Sequence, residues 1–539
     1  MDPRPQVAEL DARSRRAPMI TACVLATSVF VFAWAFGARS AGGADSLGYV
    51  SQAYLWLDGD LGIDNSLARA VPWPHAPESL TPLGYRPRDA TTSVPTYSPG
   101  VPLIMAAFAA LLGACGPYLV VPVFGGLLVA ATFLLGMRLT KQPGVALIAA
   151  VLMATSPTFL FNVVVPMSDT VTTALWTLSL CALTWPGLRA ASLGGLAAGL
   201  AVLARPNLAP LALAGVLAAE MWRTDTVRRG ARAAAYLALV LPAALFIARL
   251  NTELYGSPLL SGYGAASDLY AARHLVRNVR QFGAWLVESE WAAFLLLLPL
   301  LVGRFRPPTR WKTTSPLLLF AGLLLGAYLF YQPFDAWWFL RFLLPGYPLM
   351  FLAIAAVAHR AAIALPYRGV ALAAGMLLVA VRIVPHANAL LTIGPGEERY
   401  AAVTEFITRA LPANAIFLSM QHSGTIRFYA GRPVIRYEWI SADRFASVIA
   451  WLRDHDYRPY IVLENWEEPR FRARFADAGP AGRLEVLPIA VLRGGVDIRI
   501  YDALVPVEGP VTTTFRLELR RRPCATPAFH WRVPSLGSR

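Results

Sequence analysis

Gly195-Leu196-Ala197-Ala198-Gly199-Leu200-Ala201-Val202-Leu203-Ala204-Arg205-Pro206 is a run of small and aliphatic residues that stops on an arginine and a proline. A second apolar run, 207–221, follows at once. Such runs suit a lipid-embedded helix, and proline breaks a helix where it falls. The rest of the chain repeats the theme. Of its 539 residues, 56% are hydrophobic and only 15% charged, and the mean hydropathy is +0.49. A soluble globular chain carries about 25% charged residues. A soluble enzyme, a disordered chain and a disulfide scaffold are therefore excluded, and a polytopic membrane protein is indicated.

A crossing helix needs about 20 mostly apolar residues. Candidate segments are 18–38, 99–114, 117–137, 143–160, 169–187, 191–204, 207–221, 233–250, 286–303, 315–332, 343–362 and 367–386, which gives 10–13 helices. The fold expected is a polytopic α-helical membrane module over 18–387 after a short cytoplasmic start (1–17). An α/β domain over 388–510 and a basic tail over 511–539 follow. The first apolar run is longer than the core of a signal peptide and reads as an uncleaved helix.

The net charge of +15 comes almost entirely from arginine, since Lys141 and Lys312 are the only lysines. Short cytoplasmic loops are enriched in such residues. The clusters Arg223 to Arg232, Arg304 to Lys312 and Arg360 to Arg368 mark the inner face. They put the long loops 39–98 and 251–285, and the C-terminal domain, outside. The middle of the chain then holds one crossing too many. Either 99–114 lies shallow and Asp169 is outside, or 191–221 is one broken crossing and Asp169 is inside.

In the first outer loop, Leu47, Val50, Tyr54 and Leu57 predict an amphipathic helix over 46–57 lying on the membrane surface. Residues 71–99, rich in proline and aromatics, read as an ordered, non-helical cover. Beyond 388 the pattern predicts helices 398–410, 422–430, 442–455 and 468–477. Strands are expected at 415–419, 433–437, 460–464, near 483–488 and at 496–502. The last twenty residues read as frayed. Neither a Walker A nor a GxGxxG motif occurs, so no nucleotide site is expected.

Cys23, Cys115 and Cys181 lie in or beside apolar runs and read as small buried hydrophobes. Cys524 has no partner within the tail. The seven histidines form no metal-ligand spacing, so no metal site is expected.

Ionisable residues at the ends of apolar runs are functional candidates by default, because burying one in the membrane costs about 2.5–3.5 kcal/mol even on a mild scale. Asp45 opens the 46–57 helix and Asp169 opens 169–187. Both also suit helix caps. Arg205 sits at a broken helix, where a cation can bind phosphate. Arg341, in Trp337-Trp338-Phe339-Leu340-Arg341-Phe342-Leu343-Leu344-Pro345-Gly346-Tyr347-Pro348, also suits an interfacial anchor.

Read in order, these pieces resemble the GT-C class of membrane glycosyltransferases, especially the polyprenyl-phosphate-sugar branch that includes protein mannosyltransferases and aminoarabinose transferases. The carriers are Asp45 in a long first loop, Tyr97-Ser98-Pro99-Gly100-Val101-Pro102-Leu103, Ser156-Pro157 leading to Met167-Ser168-Asp169-Thr170, the 195–206 run, and the Arg341 to Pro348 segment. The resemblance implies that Asp45 is the general base and that Asp169 orients acceptor or donor. It implies donor and phosphate binding by Arg205 and Arg341, grouped with Tyr97 and Tyr263. The chain departs from many relatives in two ways: its first acid is a lone Asp before Ser46, and Tyr97-Ser98-Pro99-Gly100 lacks a lysine.

The implied activity is transfer of a sugar from a polyprenyl-phosphate carrier to a hydroxyl of a glycan, lipid or protein. It takes place on the outer face of the cytoplasmic membrane, with inversion. Partners are the lipid-linked donor, the acceptor and membrane lipids, with no nucleic acid and no certain cofactor. A transporter or flippase of a lipid-linked or small substrate is the competing expectation, since broken helices and intramembrane charges suit one.

Overall fold

The computed structural model describes residues 4–222, 228–307, 310–365, 368–506, 515–517 and 524–528. The orientation cue at Arg223 and most of the basic tail lie outside the described residues. Among the described residues, eight helices are long and apolar enough to cross a membrane, or nine if the bent pair Pro143–Ala154 and Pro157–Val163 counts as one span. This is fewer than the segments expected. Ser168–Leu183 and the apolar 206–221 stretch are shorter than a full span, and 99–137 forms one nearly continuous helical stretch. The molecule is a multi-pass membrane protein.

The opening run forms the helix Gly187–Ala204, whose glycines set its packing. A Cβ on Gly195 would lie 2.2 Å from the Tyr236 carbonyl oxygen, and one on Gly199 2.7 Å from that of Leu239. Two small residues four apart let this helix press backbone to backbone on Ala231–Tyr255, the way lipid-embedded helices associate. The helix Ser168–Leu183 is buried along nearly its whole length. Its C-terminal carbonyls are held by basic side chains. Arg232 donates to Leu183 O and Trp185 O, and Arg138 donates to Thr184 O. Arg138 and Arg232 therefore mark the end of the bundle opposite Asp169.

Gly100–Leu112 begins beside Asp45 and ends at Cys115, which is disulfide-bonded to Cys524. Both of its ends thus lie toward the C-terminal domain, and Gly116–Thr140 runs on through the bundle. Asp169 therefore shares the face of Asp45, joined to it through Arg341.

The bond also corrects the reading of Cys115 as a buried hydrophobe. A pairing between residues 409 apart leaves no spacing signal in the sequence. The tail is not wholly frayed either. Within the last twenty residues, Ala525 N–H donates to Arg39 O and Ala528 N–H donates to Phe428 O; ahead of them, residues 515–517 add a strand to the C-terminal sheet.

The C-terminal domain holds a six-stranded mixed sheet in the order 434–435, 415–418, 458–464, 498–506, 486–492, 515–517. Its first three strands run parallel and are joined through Ser423–Ala430 and Phe445–Asp454. The expected element order is therefore present.

The first-loop helix Asp45–Asp58 does not lie on the surface. Ser46 to Ala53 are all buried, because the helix is enclosed between Gly100–Leu112 and the C-terminal domain. Leu47 packs against Gly424, Leu83 N–H donates to Ser423 Oγ, and Arg427 donates to Asp64 O. A small sheet (63–64, 92–95, 85–87) and the short helix Ala76–Leu80 complete the cover over the first loop.

Candidate active site

Asp45 stands at the first turn of its helix, but its carboxylate caps nothing. Tyr97 OH donates to Oδ1 at 2.7 Å, and Arg341 Nη2 donates to Oδ2 at 2.6 Å. Tyr97 reaches this position because residue 48 is glycine, where a Cβ would sit 2.2 Å from the ring. The loop entering Asp45 is fixed by the C-terminal part of the chain. Ser40 Oγ donates to Glu397 O, and Ala41 N–H donates to Tyr429 OH.

Asp169 likewise caps nothing. Arg205 Nη2 donates to its Oδ1 at 2.6 Å, and Arg341 Nε lies 3.9 Å from its Oδ2. A guanidinium within reach outcompetes a backbone cap for a carboxylate, because both partners are charged. Position in the first turn still favours each acid through the helix dipole. The four residues chosen from sequence thus form one chain, Asp45–Arg341–Asp169–Arg205.

Arg205 is braced further by Ser168 Oγ at 3.1 Å and Tyr328 OH at 3.1 Å, while Tyr49 OH donates to Ser168 Oγ at 2.8 Å. Ser168, Tyr328 and Tyr49 were missed as site residues. Ser168 lay inside a motif whose acid took the attention, and the two tyrosines sit within segments read for hydropathy alone.

A cavity of about 940 Å³ opens against this chain. Asp45, Arg205, Arg341, Tyr97 and Tyr263 line it; Asp169 does not. Asp169 is 1% exposed and lies behind the two guanidiniums. Tyr263 sits on the loop after Ala231–Tyr255, its ring edge-on to Tyr97 at 5.8 Å. Arg86 pins that loop through Ser261 O and Gly262 O. Ile247, Leu250, Leu323 and Phe342 give the same cavity an apolar wall. Asp45 is its only lining carboxylate among the described residues.

Two further polar clusters lie elsewhere. Glu290 and Arg382, 0% and 3% exposed, pair at 2.8 Å between Leu275–Phe294 and Arg368–Ile383. Ser156 donates to Glu290 Oε1, and Arg382 donates to Thr155 Oγ1 and Leu152 O. Neither residue lines the cavity.

At the junction of the C-terminal domain, Glu464 receives Arg399, His422 and Trp466. Burial alone would raise its carboxyl, but His422 and Arg399 hold it down at about 2. Glu467 accepts Tyr437 OH and Glu464 N–H; burial outweighs these bonds and pushes it up to about 7.

No protein-family model and no curated protein sequence matches the chain. Solved structures do. ArnT from Cupriavidus metallidurans matches in its apo state with a TM-score of 0.56 at 12% identity, over 91% of this chain and 99% of that one. The same protein bound to undecaprenyl phosphate gives 0.53 over the same shares. The arabinofuranosyltransferase AftD from Mycobacteria gives 0.50 at 15% identity, over 90% of this chain and 40% of that one. At these identities the likeness is one of fold, and it extends over the membrane module and the C-terminal domain together: the chain has the GT-C fold of integral membrane glycosyltransferases.

Proposed function

We propose that the chain is a glycosyltransferase that moves a sugar from a polyprenyl-phosphate carrier to an acceptor hydroxyl. The reaction takes place on the outer face of the cytoplasmic membrane. The observation that carries this reading is the single cavity in which Asp45, Arg205 and Arg341 meet beside an apolar wall. A lipid-borne phosphate needs both halves of such a cavity: cationic donors for its oxygens and a dry surface for its first isoprene units. One of the ArnT structures with this fold holds undecaprenyl phosphate. The Cys115–Cys524 bond favours the outer face for this end of the molecule, because disulfides persist in oxidising compartments. The arginines at the opposite end suit the inner face.

In the reaction, the acceptor oxygen attacks the anomeric carbon from the face opposite the phosphate. The carbon–oxygen bond to phosphate breaks with its electron pair going to the phosphate oxygen, and the acceptor proton passes to Asp45. Direct displacement inverts the anomeric centre. Arg205 and Arg341 stabilise the charge that grows on the departing phosphate. Asp169 touches no substrate in this scheme; it positions both guanidiniums.

The test is incubation of the purified chain, in lipid, with radiolabelled polyprenyl-phosphate sugars and membrane extract. Label reaching a hydroxyl acceptor supports the reading. Label that only crosses the bilayer, still on its carrier, sinks it in favour of transport.

A further inference from the structure

In the resting site the base and the phosphate ligand neutralise each other. Arg341 Nη2 holds Asp45 Oδ2 at 2.6 Å, and Tyr97 holds Oδ1 at 2.7 Å. Each carboxylate oxygen therefore carries a strong charge-assisted or hydroxyl hydrogen bond. While Arg341 remains on Oδ2, an acceptor hydroxyl must compete with the guanidinium for that oxygen.

The other side of the same guanidinium is differently placed. Nε faces Asp169 Oδ2 at 3.9 Å, both atoms are buried, and neither has a hydrogen-bond partner among the described residues. Nη1 rests on Met167 Sδ at 3.3 Å. The guanidinium is thus seated against Met167 and Asp169 by one edge, and joined to Asp45 only through Nη2.

From this we infer that the donor's phosphate switches on the base by taking Arg341 from Asp45. The inference rests on the reading of the site as a polyprenyl-phosphate sugar transferase and adds an order of events to it. A phosphate oxygen entering beside Arg205 and Arg341 competes with Asp45 for Nη2. As Arg341 turns to the phosphate, its Nε stays over Asp169. Asp45 Oδ2 is then left open to the acceptor, still aligned by Tyr97 on Oδ1. Donor binds first and acceptor is activated second, so no hydroxyl is deprotonated in an empty site. Arg341 is the shared element: a counter-ion to the base at rest and a ligand to the leaving group in the loaded site.

Competition predicts an outcome opposite to the usual effect of removing a site residue. The probe is undecaprenyl phosphate without sugar, titrated against the full chain in lipid nanodiscs. Asp45→Asn frees Arg341 and is expected to bind the probe about tenfold more tightly than wild type, the scale of one charge-assisted hydrogen bond. Arg341→Ala is expected to bind it more weakly. Asp45 also repels an anion through space, so the double variant decides between the two causes. With Arg341 absent, Asp45→Asn should bring little or no gain. A gain of full size in the Arg341→Ala background, or unchanged or weaker binding by Asp45→Asn alone, overturns the exchange. Absence of binding by wild type and all variants overturns the reading of the site itself.

Discussion

Two buried arginine–carboxylate sites among the described residues of the bundle are built for different ends. Glu290–Arg382 is closed: both groups are almost fully buried, flanked by Ser156, Thr155 and a backbone carbonyl, and neither lines the cavity at Asp45. Asp45–Arg341–Asp169–Arg205 likewise pairs guanidiniums with carboxylates at short range, but its two arginines and one of its acids face a cavity. The pair at 290 and 382 anchors Arg368–Ile383, a helix otherwise largely exposed to lipid, onto the bundle. An ion pair in an apolar interior is thus a sign of function only when some of its hydrogen-bonding capacity is directed at a space a ligand could enter.

The contrast can be broken most directly at Asp45. Asp45→Asn is expected to lower transfer by about 10²–10⁴-fold, the usual contribution of a general base, with an unchanged thermal midpoint. Glu290→Gln should leave turnover per folded molecule near wild type; a comparable loss there would erase the distinction.

Next in size is stability. Arg382→Ala strands a buried carboxylate and should cost about 3–5 kcal/mol in a denaturation experiment. The double variant Glu290→Leu, Arg382→Met should recover most of that cost, as an apolar replacement of an anchor can and of a catalytic pair cannot.

The cluster in the C-terminal domain gives a third, titratable case. Burial holds Glu467 at about 7, above its ordinary value near 4.5, so its protonated form favours the folded state. That contribution is complete below about pH 4.5 and disappears as pH rises through about 7, a change of about 3 kcal/mol at most. Melting of the C-terminal domain followed between pH 4.5 and 8 should show the decline. Glu464, held low, contributes in the opposite sense and only at the acid end, where its share is lost as pH falls toward about 2.

The smallest effect sharpens the site itself. Tyr97→Phe removes one hydrogen bond to Asp45 and should lower kcat about tenfold with little change in KM for the donor, since the bond is to the base and not to phosphate.

Much of this was legible in the sequence, for a reason the comparison makes plain. Asp45, Asp169, Arg205 and Arg341 each interrupt or border an apolar run, and that cost is visible without a structure. The same criterion applied to Arg382, alone among the charged residues of the run 369–386, and to Glu290 would have found the second pair. What it could not have supplied is the partner of each charge, because helix order in space is not written in hydropathy. For that reason Asp45 and Asp169 read as caps, whereas both turned to arginines 296 and 36 residues away. The C-terminal domain was read closely because its strands are short, β-rich and separated by polar turns. The first-loop helix was found but misplaced, since an amphipathic face does not say whether lipid or protein covers it.

The Cys115–Cys524 bond bears on how a molecule is completed. Cys115 enters the chain early and Cys524 409 residues later, so the first thiol waits through the insertion of every later span and the folding of the C-terminal sheet. The bond can close only when the tail is laid over Arg39 and Phe428, where Ala525 and Ala528 hold it. Its closure dates the end of assembly. A count of free thiols therefore reports the fraction of molecules in which the tail has been fastened covalently to the bundle.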